Sequence, residues 1–497
     1  MKKAIVIGSG FSGLSSASYL AKAGWHVTVI EKHSIPGGRA RKLEADGFVF
    51  DMGPSWYWMP DVFERYFSNF GKSRSDYYTL KRLDPSYKIF WEDEEIEIPA
   101  DYNELKKLFE KVEKGSGQRL DKYLKQAEYK YKIGINKLVQ KPGRSWLEFL
   151  DWELISGIVK LDVFSSIKKH IQKNFKDSKL KQLLEFPVLF LGALPKDTPA
   201  LYSLMNYADI KGGTWYPEKG MYSVVNGMYE LALELGVNFK FDENVTAINI
   251  FEKSAKGVTT VIRKENAQRK NYECDVVIGS ADYHFIEDKL IPQKYRSYDE
   301  KYWDKRVLAP GCLLYFVGLK KKLKNITHHS LFFDVDFKKH GEQIYVSRQW
   351  PDEPLFYVSA TSVTDKTTAP EGFENLFFLI PISAGLQGDG EELRDKYFEK
   401  IMTRFEKRIG EKIKDDIVYK QSFGPSNFVT DYNAYKANAY GLANTLMQTA
   451  VLKPACRSKK IKNLFYTGQL TVPGPGVPPS LISGEVVAKE VIKYFGS

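Results

Sequence analysis

The chain has 497 residues, 43% hydrophobic and 27% charged, with a net charge of +11. That length supports two or three domains with large cores, and the composition is that of a globular rather than a disordered protein. A basic balance favours anionic partners, but no helix-turn-helix, zinc or RNA-binding signature is present, which excludes nucleic acid.

The first residues, MKKAIVIGSG, offer two lysines and an apolar run, as a secretory signal would. The run breaks at Gly8 with no small-residue cleavage pattern behind it, so secretion is not expected. Ala4 to Ile7 instead read as a parallel strand buried on both faces. Gly8-x-Gly10-x-x-Gly13 follows, then Ala17 and Leu20 at helical spacing, Gly24 as a helix stop, and a second strand, HVTVI, ending at Glu31. In a dinucleotide-binding unit Gly8 makes the tight turn, Gly10 admits a pyrophosphate to the backbone and Gly13 packs helix on strand. Free N–H groups near Ser12 face the phosphates, and Glu31 accepts hydrogen bonds from ribose hydroxyls. An acid at that position disfavours a 2′-phosphate, hence NADP. The next stretch, KHSIPGGRARKLEADGFVFDMGPSW, places Arg39 directly after Gly37-Gly38, where it would reach a pyrophosphate, and a second bare turn at Gly53-Pro54.

Residues 103–186 hold nineteen Lys and Arg against eleven Asp and Glu. Within them the spacing predicts a helix over 153–173, with Leu154, Ile158, Leu161, Phe164, Ile167 and Ile171 on one face and Lys160, Lys168, Lys169 and Lys173 on much of the rest. Such a helix either packs on its own domain or lies on an anionic bilayer, and the concentration of charge favours the bilayer. No stretch approaches the ~20 apolar residues of a spanning helix, so any membrane association is peripheral. The longest candidate, FPVLFLGAL from Phe186, is short and contains proline. Further on, runs such as CLLYFVGL, PLFYVSAT and NLFFLIPI predict a sheet. His328-His329 with Asp334 and Asp336 resemble a metal set, but a β-hairpin edge accounts for them and no metal is expected. Cys274, Cys312 and Cys456 are widely spaced and odd in number, which excludes a disulfide framework and fits a reducing cytoplasm.

Near the end stands LTVPGPGVPPSLISG, with four prolines and three glycines, between a strand-like NLFYTGQ and a last helix. Pro478 and Pro479 sit where that helix should begin, a place where a missing N–H costs nothing.

The early GxGxxG…E with GGR and D-x-G-P resembles the flavin amine oxidase and carotenoid desaturase superfamily. PGPGVP, Pro473 to Pro478, is similar to the C-terminal signature of bacterial-type phytoene desaturases. DMGPSWYWMPDVF, EFPVLFLGALPKDTPALY, GTWYPEKGMYSVVNGM, HHSLFFDVDF and NAYGLANTLMQTAVLKP extend the resemblance over nearly the whole chain. It implies FAD, rather than NAD, with contacts at Gly8, Gly10, Ser12, Gly13, Glu31, Lys32, Gly38, Arg39, Gly53, Pro54 and Ser55. It further implies an adenine contact at Val245 and flavin-proximal positions at Gly468 and Val477, where the positive end of the last helix faces the flavin N1–C2=O edge. The fold so implied is α/β: a discontinuous Rossmann-like FAD-binding domain (1–75, 220–290 and 455–497), an inserted β-rich substrate domain (76–102 and 291–454) and a helical, basic, membrane-facing insertion (103–219). The activity implied is desaturation of a long polyisoprenoid, phytoene toward lycopene or a C30 or hydroxylated relative. An allylic hydride goes to the flavin and a proton leaves the neighbouring carbon. The partners implied are a lipophilic carotenoid, an anionic membrane surface and quinone or oxygen as electron acceptor. Wealth in aromatic residues fits an apolar tunnel. A flavin amine oxidase is the alternative. Asp151, Asp334 and Glu353 offer themselves as proton acceptors, with none singled out.

Overall fold

The computed structural model describes residues 1–149, 165–189, 192–262 and 268–496. The first unit of the chain is β1 (Lys3–Ile7), α1 (Phe11–Lys22) and β2 (His26–Ile30). Ala4, Val6, Val27 and Val29 are all buried, each apolar side chain of valine size worth about 1.5–3 kcal/mol on leaving water. The sheet they begin is five-stranded and wholly parallel, in the order Leu464–Tyr466, Val276–Gly279, β1, β2, Asn238–Lys240. Its strands thus come from stretches up to about 460 residues apart in the chain, and Ile5 lies between Thr28 and Val277.

α1 covers one face of this sheet and is itself crossed by the last helix, Val477–Phe495. The crossing is built on small residues. A Cβ at Gly484 would lie 2.4 Å from the Ser12 carbonyl oxygen, and Ser15 Oγ donates to the Leu481 carbonyl at 2.8 Å. The runs of serine, glycine and alanine in α1 therefore serve close backbone approach as well as helix formation. Glu243–Phe251, Ser254–Ile262 and Arg269–Glu273 form a separate three-stranded antiparallel sheet.

A seven-stranded mixed sheet carries the second large core, in the order Ile417–Phe423, Gly311–Leu319, Glu374–Ile382, Phe356–Ser359, His329–Phe332, Tyr87–Phe90, Glu95–Ile98. The α/β architecture expected from the sequence is present. The expectation of a hairpin edge at His328-His329 is not: the His329–Phe332 strand is interior, paired with Phe356–Ser359 on one side and Tyr87–Phe90 on the other. A strand's position in a sheet depends on long-range pairing that local spacing does not encode.

The expected helix over 153–173 also changes. Residues 151–164, with Leu154, Ile158, Lys160, Leu161, Phe164 and the candidate acid Asp151, lie outside the described residues. The remainder forms a short helix, Ile167–Asn174, started afresh by Ser166, whose hydroxyl accepts from Lys169 N. Ile167 and Ile171 are fully buried in the main core, leaving Lys169 and Lys173 exposed. That apolar face is spent on the protein itself. No helix among the described residues is long and apolar enough to cross a membrane.

Candidate active site

The carboxyl ends of β1, β2, Val276–Gly279 and Leu464–Tyr466 open on a cleft of about 360 Å³, the place where open parallel sheets bind nucleotides. Gly8, Gly10, Ser12, Glu31, Lys32, Gly38, Arg39, Gly53, Pro54, Ser55, Val245, Gly468 and Val477 all line it. Gly13 does not; a Cβ there would stand 2.1 Å from the Gly8 carbonyl oxygen, so its bareness serves the strand–helix packing. Gly8 takes φ +98°, a conformation that favours glycine, and its N–H donates to the Ile30 carbonyl at 2.9 Å.

Glu31 is buried, and its carboxylate accepts from Ser9 N at 2.9 Å, Ser9 Oγ at 2.7 Å and His33 N at 3.0 Å. These bonds fix the acid against the glycine turn and leave lone pairs for a ligand. His33 and Arg41 are joined at 3.0 Å, and Arg41 pairs with Asp431 at 2.6 Å, fastening the nucleotide unit to the Pro425–Tyr432 helix. Burial and the Arg41 charge lower the His33 pKa.

The cleft has the character of an anion and ring site. Arg39 lies 5.4 Å from the Tyr432 ring, and its Nε is shut off from solvent with no hydrogen-bond partner among the described residues. Burial pulls its guanidinium below its ordinary range while Asp282 opposes the shift. Two helices, α1 and Val477–Phe495, direct their N-terminal ends to the cleft, and neither has a side-chain cap on its free N–H groups. A Cβ at Gly10 would meet nothing within 4 Å, so protein packing does not require that glycine. A buried arginine with an unpartnered Nε, two uncapped helix ends and a bare Gly10 fit the pyrophosphate and ring of FAD.

A second, apolar cavity of about 200 Å³ adjoins this cleft; Tyr357, Leu379 and Tyr440 line both. Phe186, Leu331, Phe333 and Leu355 are among its walls, and Lys168, Lys196 and Lys338 stand on its lining with Glu185 and Glu342. At the junction Ser55 Oγ and Tyr357 Oη are 2.9 Å apart, and Tyr357 Oη is 2.6 Å from His329 Nδ1. Trp56 stacks on the His329 ring, with centroids 4.2 Å apart and planes 13° apart. Burial drives the His329 pKa well below the ordinary imidazole value, helped by His328.

The other sequence candidates lie elsewhere. Asp334 is held by Arg404 and Arg408, Asp336 caps the Phe337–Glu342 helix, and the half-exposed Glu353 pairs with Lys400. None of the three lines either cavity. Among the described residues no group of three His, Cys, Asp or Glu side chains could hold a metal ion. Tyr357, Asp282 and the Arg41–Asp431 pair were missed from sequence, and His329 was read there only as a hairpin-edge residue. Asp282 alone had a local signal, since CDVVIGSAD repeats the pattern of buried strand, small residues and acid.

A parallel-sheet nucleotide cleft beside an apolar cavity defines the class: a dinucleotide-binding α/β protein with an apolar chamber next to its cleft. The chain belongs to the flavin containing amine oxidoreductase family, whose model matches residues 11–492. It is 40% identical over 490 residues to carotenoid 3,4-desaturase of Haloarcula japonica, covering 98% of this chain and 97% of that one. It is 30% identical over 502 residues to the zeta-carotene-forming phytoene desaturase of Myxococcus xanthus, covering 99% and 94%. It is also 30% identical over 507 residues to 4,4'-diapophytoene desaturase of Staphylococcus aureus strain Newman, covering 99% of each. Among solved structures an oxidoreductase from Methanosarcina mazei shares the fold, with TM-score 0.62 at 15% identity over 98% of this chain and 100% of that one.

Proposed function

We propose that this protein is an FAD-dependent carotenoid desaturase, an oxidoreductase that converts CH–CH units of a long polyisoprenoid into C=C bonds. The observation that carries the reading is the adjacency of the two cavities, both lined by Tyr357, Leu379 and Tyr440, in a chain alike over nearly its full length to desaturases of carotenoids and diapophytoene. An amine oxidase has less claim, since the relatives at 30–40% identity are desaturases of carotenoids and diapophytoene.

In this reading Glu31 holds the adenosine ribose, Val245 the adenine, and the Gly8–Gly13 turn with Gly38 and Arg39 the pyrophosphate. Gly53, Pro54, Ser55, Gly468 and Val477 border the ring, and Lys32 lies at the adenosine end. Bound FAD supplies the hydride acceptor. The protein's own part is to align an uncharged chain in an aromatic wall, exclude water and remove one proton. Phytoene is the substrate proposed first; a C30 or hydroxylated precursor fits the same cavity chemistry. The units proposed are an FAD-binding domain of 1–75, 220–290 and 455–497, a substrate domain of 76–102 and 291–454, and a membrane-associating insertion over 103–219. We place the enzyme at the cytoplasmic face of an anionic membrane, reoxidised by quinone or oxygen; the lysines at the apolar cavity support that placement.

The test is pigment analysis of cells that make phytoene, or diapophytoene, together with this protein. New conjugated polyenes with loss of the precursor are expected. Unchanged precursors in cells that contain the FAD-loaded protein would falsify the reading.

A further inference from the structure

The proposed desaturation leaves one proton without an acceptor, and the acids suggested by sequence either do not line the cavities or lie outside the described residues. Three residues at the junction meet the need. Tyr357 comes from the Phe356–Ser359 strand, His329 from the neighbouring strand, and Ser55 from the turn after Gly53-Pro54. Their hydroxyls and imidazole form one continuous hydrogen-bonded row of 2.9 and 2.6 Å steps. His329 is wholly buried, and its Nε2 has no hydrogen-bond partner among the described residues. A buried ring nitrogen left unpaired costs about 1–3 kcal/mol that a phenylalanine of similar shape would not incur. The Trp56 ring stacked on the imidazole fixes its plane, so Nδ1 stays aimed at Tyr357.

We propose that Tyr357 is the catalytic proton acceptor and that His329, acting through it, is the positioning residue that takes up the charge, an inference that rests on the desaturase reading. In the step, one substrate C–H bond breaks with its electron pair leaving as hydride to the oxidised flavin. The adjacent C–H bond breaks with its pair remaining as the new π bond. Its proton goes to Tyr357 Oη, whose own proton passes to His329 Nδ1. Ser55 donates to Tyr357 and holds the phenol in that orientation; the relay resets when the proton returns past Ser55 to the cleft. A weakly basic imidazole suffices, because a carbon that has an electron-deficient allylic neighbour is a strong acid.

The test uses the FAD-loaded enzyme and phytoene deuterated either at the hydride-losing or at the proton-losing carbon, comparing wild type with Tyr357→Phe. General-base assistance contributes about 10²–10⁴-fold. A fall in turnover of that size is expected, with KM and bound FAD held, and an isotope effect that grows at the proton-losing carbon. Turnover within about threefold of wild type, or a fall without growth of that isotope effect, overturns the relay. Should Tyr357→Phe lose flavin, His329→Gln, which keeps Tyr357 and Ser55 together, decides by the same isotope criterion. Wild type that converts no isoprenoid condemns the desaturase reading instead, and the relay falls with it.

Discussion

Gly10 and Gly13 sit in one motif, yet a methyl group at each would meet different things. At Gly10 it would find open cleft, and at Gly13 it would strike the Gly8 carbonyl oxygen at 2.1 Å. Gly10→Val should therefore fold and melt like FAD-free wild type but purify colourless, because the side chain occupies the path of the pyrophosphate. Gly13→Ala should lose at least about 1–3 kcal/mol of stability by overpacking. Flavin absorbance and thermal melting separate the two, and stoichiometric flavin in Gly10→Val would refute the assignment of the turn. Lys453 makes a second prediction. It is buried beneath the Pro-Gly loop, bonded at 2.9 Å to Asn444 Oδ1, and burial lowers its pKa to about 7. Between pH 7 and the unfolded value of 10.5 the unfolded chain keeps a proton that the native one has released. Stability from this site thus rises with pH across that window. Relative to Lys453→Met, wild type should gain about 2–3 kcal/mol from pH 7 to pH 9; equal slopes in urea unfolding would sink the assignment. The glycines and Glu31 were legible because backbone geometry ties them to fixed offsets. Tyr357 and His329 were not, since only strand pairing across the sheet joins residues 28 apart in the chain.

Among elements, the last helix shows what local chemistry can specify. Gly476 takes φ +110°, the helix starts at Val477, and Pro478 and Pro479 occupy its first turn, where their missing N–H groups are not needed. The prolines thereby stiffen the loop before it, and Pro475 to Ser480 line the nucleotide cleft. Changing Pro475 and Pro478 to alanine should leave most FAD bound, because the adenosine and pyrophosphate groups are held from the N-terminal unit. The flavin reduction potential should drop and desaturation slow, as the helix end that favours negative charge loses its fixed aim. Potentiometry and single-turnover bleaching measure both; a double variant with unchanged potential and rate would reduce the loop to an ordinary turn. The Ile167–Asn174 helix shows the opposite limit. Its amphipathic pattern correctly gave an apolar face through Ile167 and Ile171, but a pattern does not say whether that face meets lipid or protein, and here it meets the core. Ser166 adds a cap that divides the expected helix, a signal present in the sequence and outweighed by the apolar spacing.

At the scale of the molecule, a parallel sheet assembled from four separated stretches sets its nucleotide cleft beside a cavity walled by the seven-stranded sheet and the Ser178–Leu189 helix. The glycine motif and the C-terminal loop made the first half readable; the cavity wall was not, because aromatic abundance has no address until the sheets pack. The route of an oily substrate then depends on what surrounds the cavity. With Ile167 and Ile171 buried, the lysines on the cavity lining are Lys168, Lys196 and Lys338, Lys196 and Lys338 being exposed. Each lysine near an anionic surface contributes about 1 kcal/mol. Replacing all three by glutamine should therefore weaken adsorption to phosphatidylserine-containing vesicles by about 3 kcal/mol, roughly a hundredfold. Raised salt should weaken wild-type adsorption as well, since a shorter Debye length screens the attraction. Co-sedimentation with vesicles of graded anionic content measures both effects, with bound FAD as the check on folding. Adsorption by the triple variant equal to wild type would move the membrane contact away from the cavity, and the substrate would then have to enter from another side.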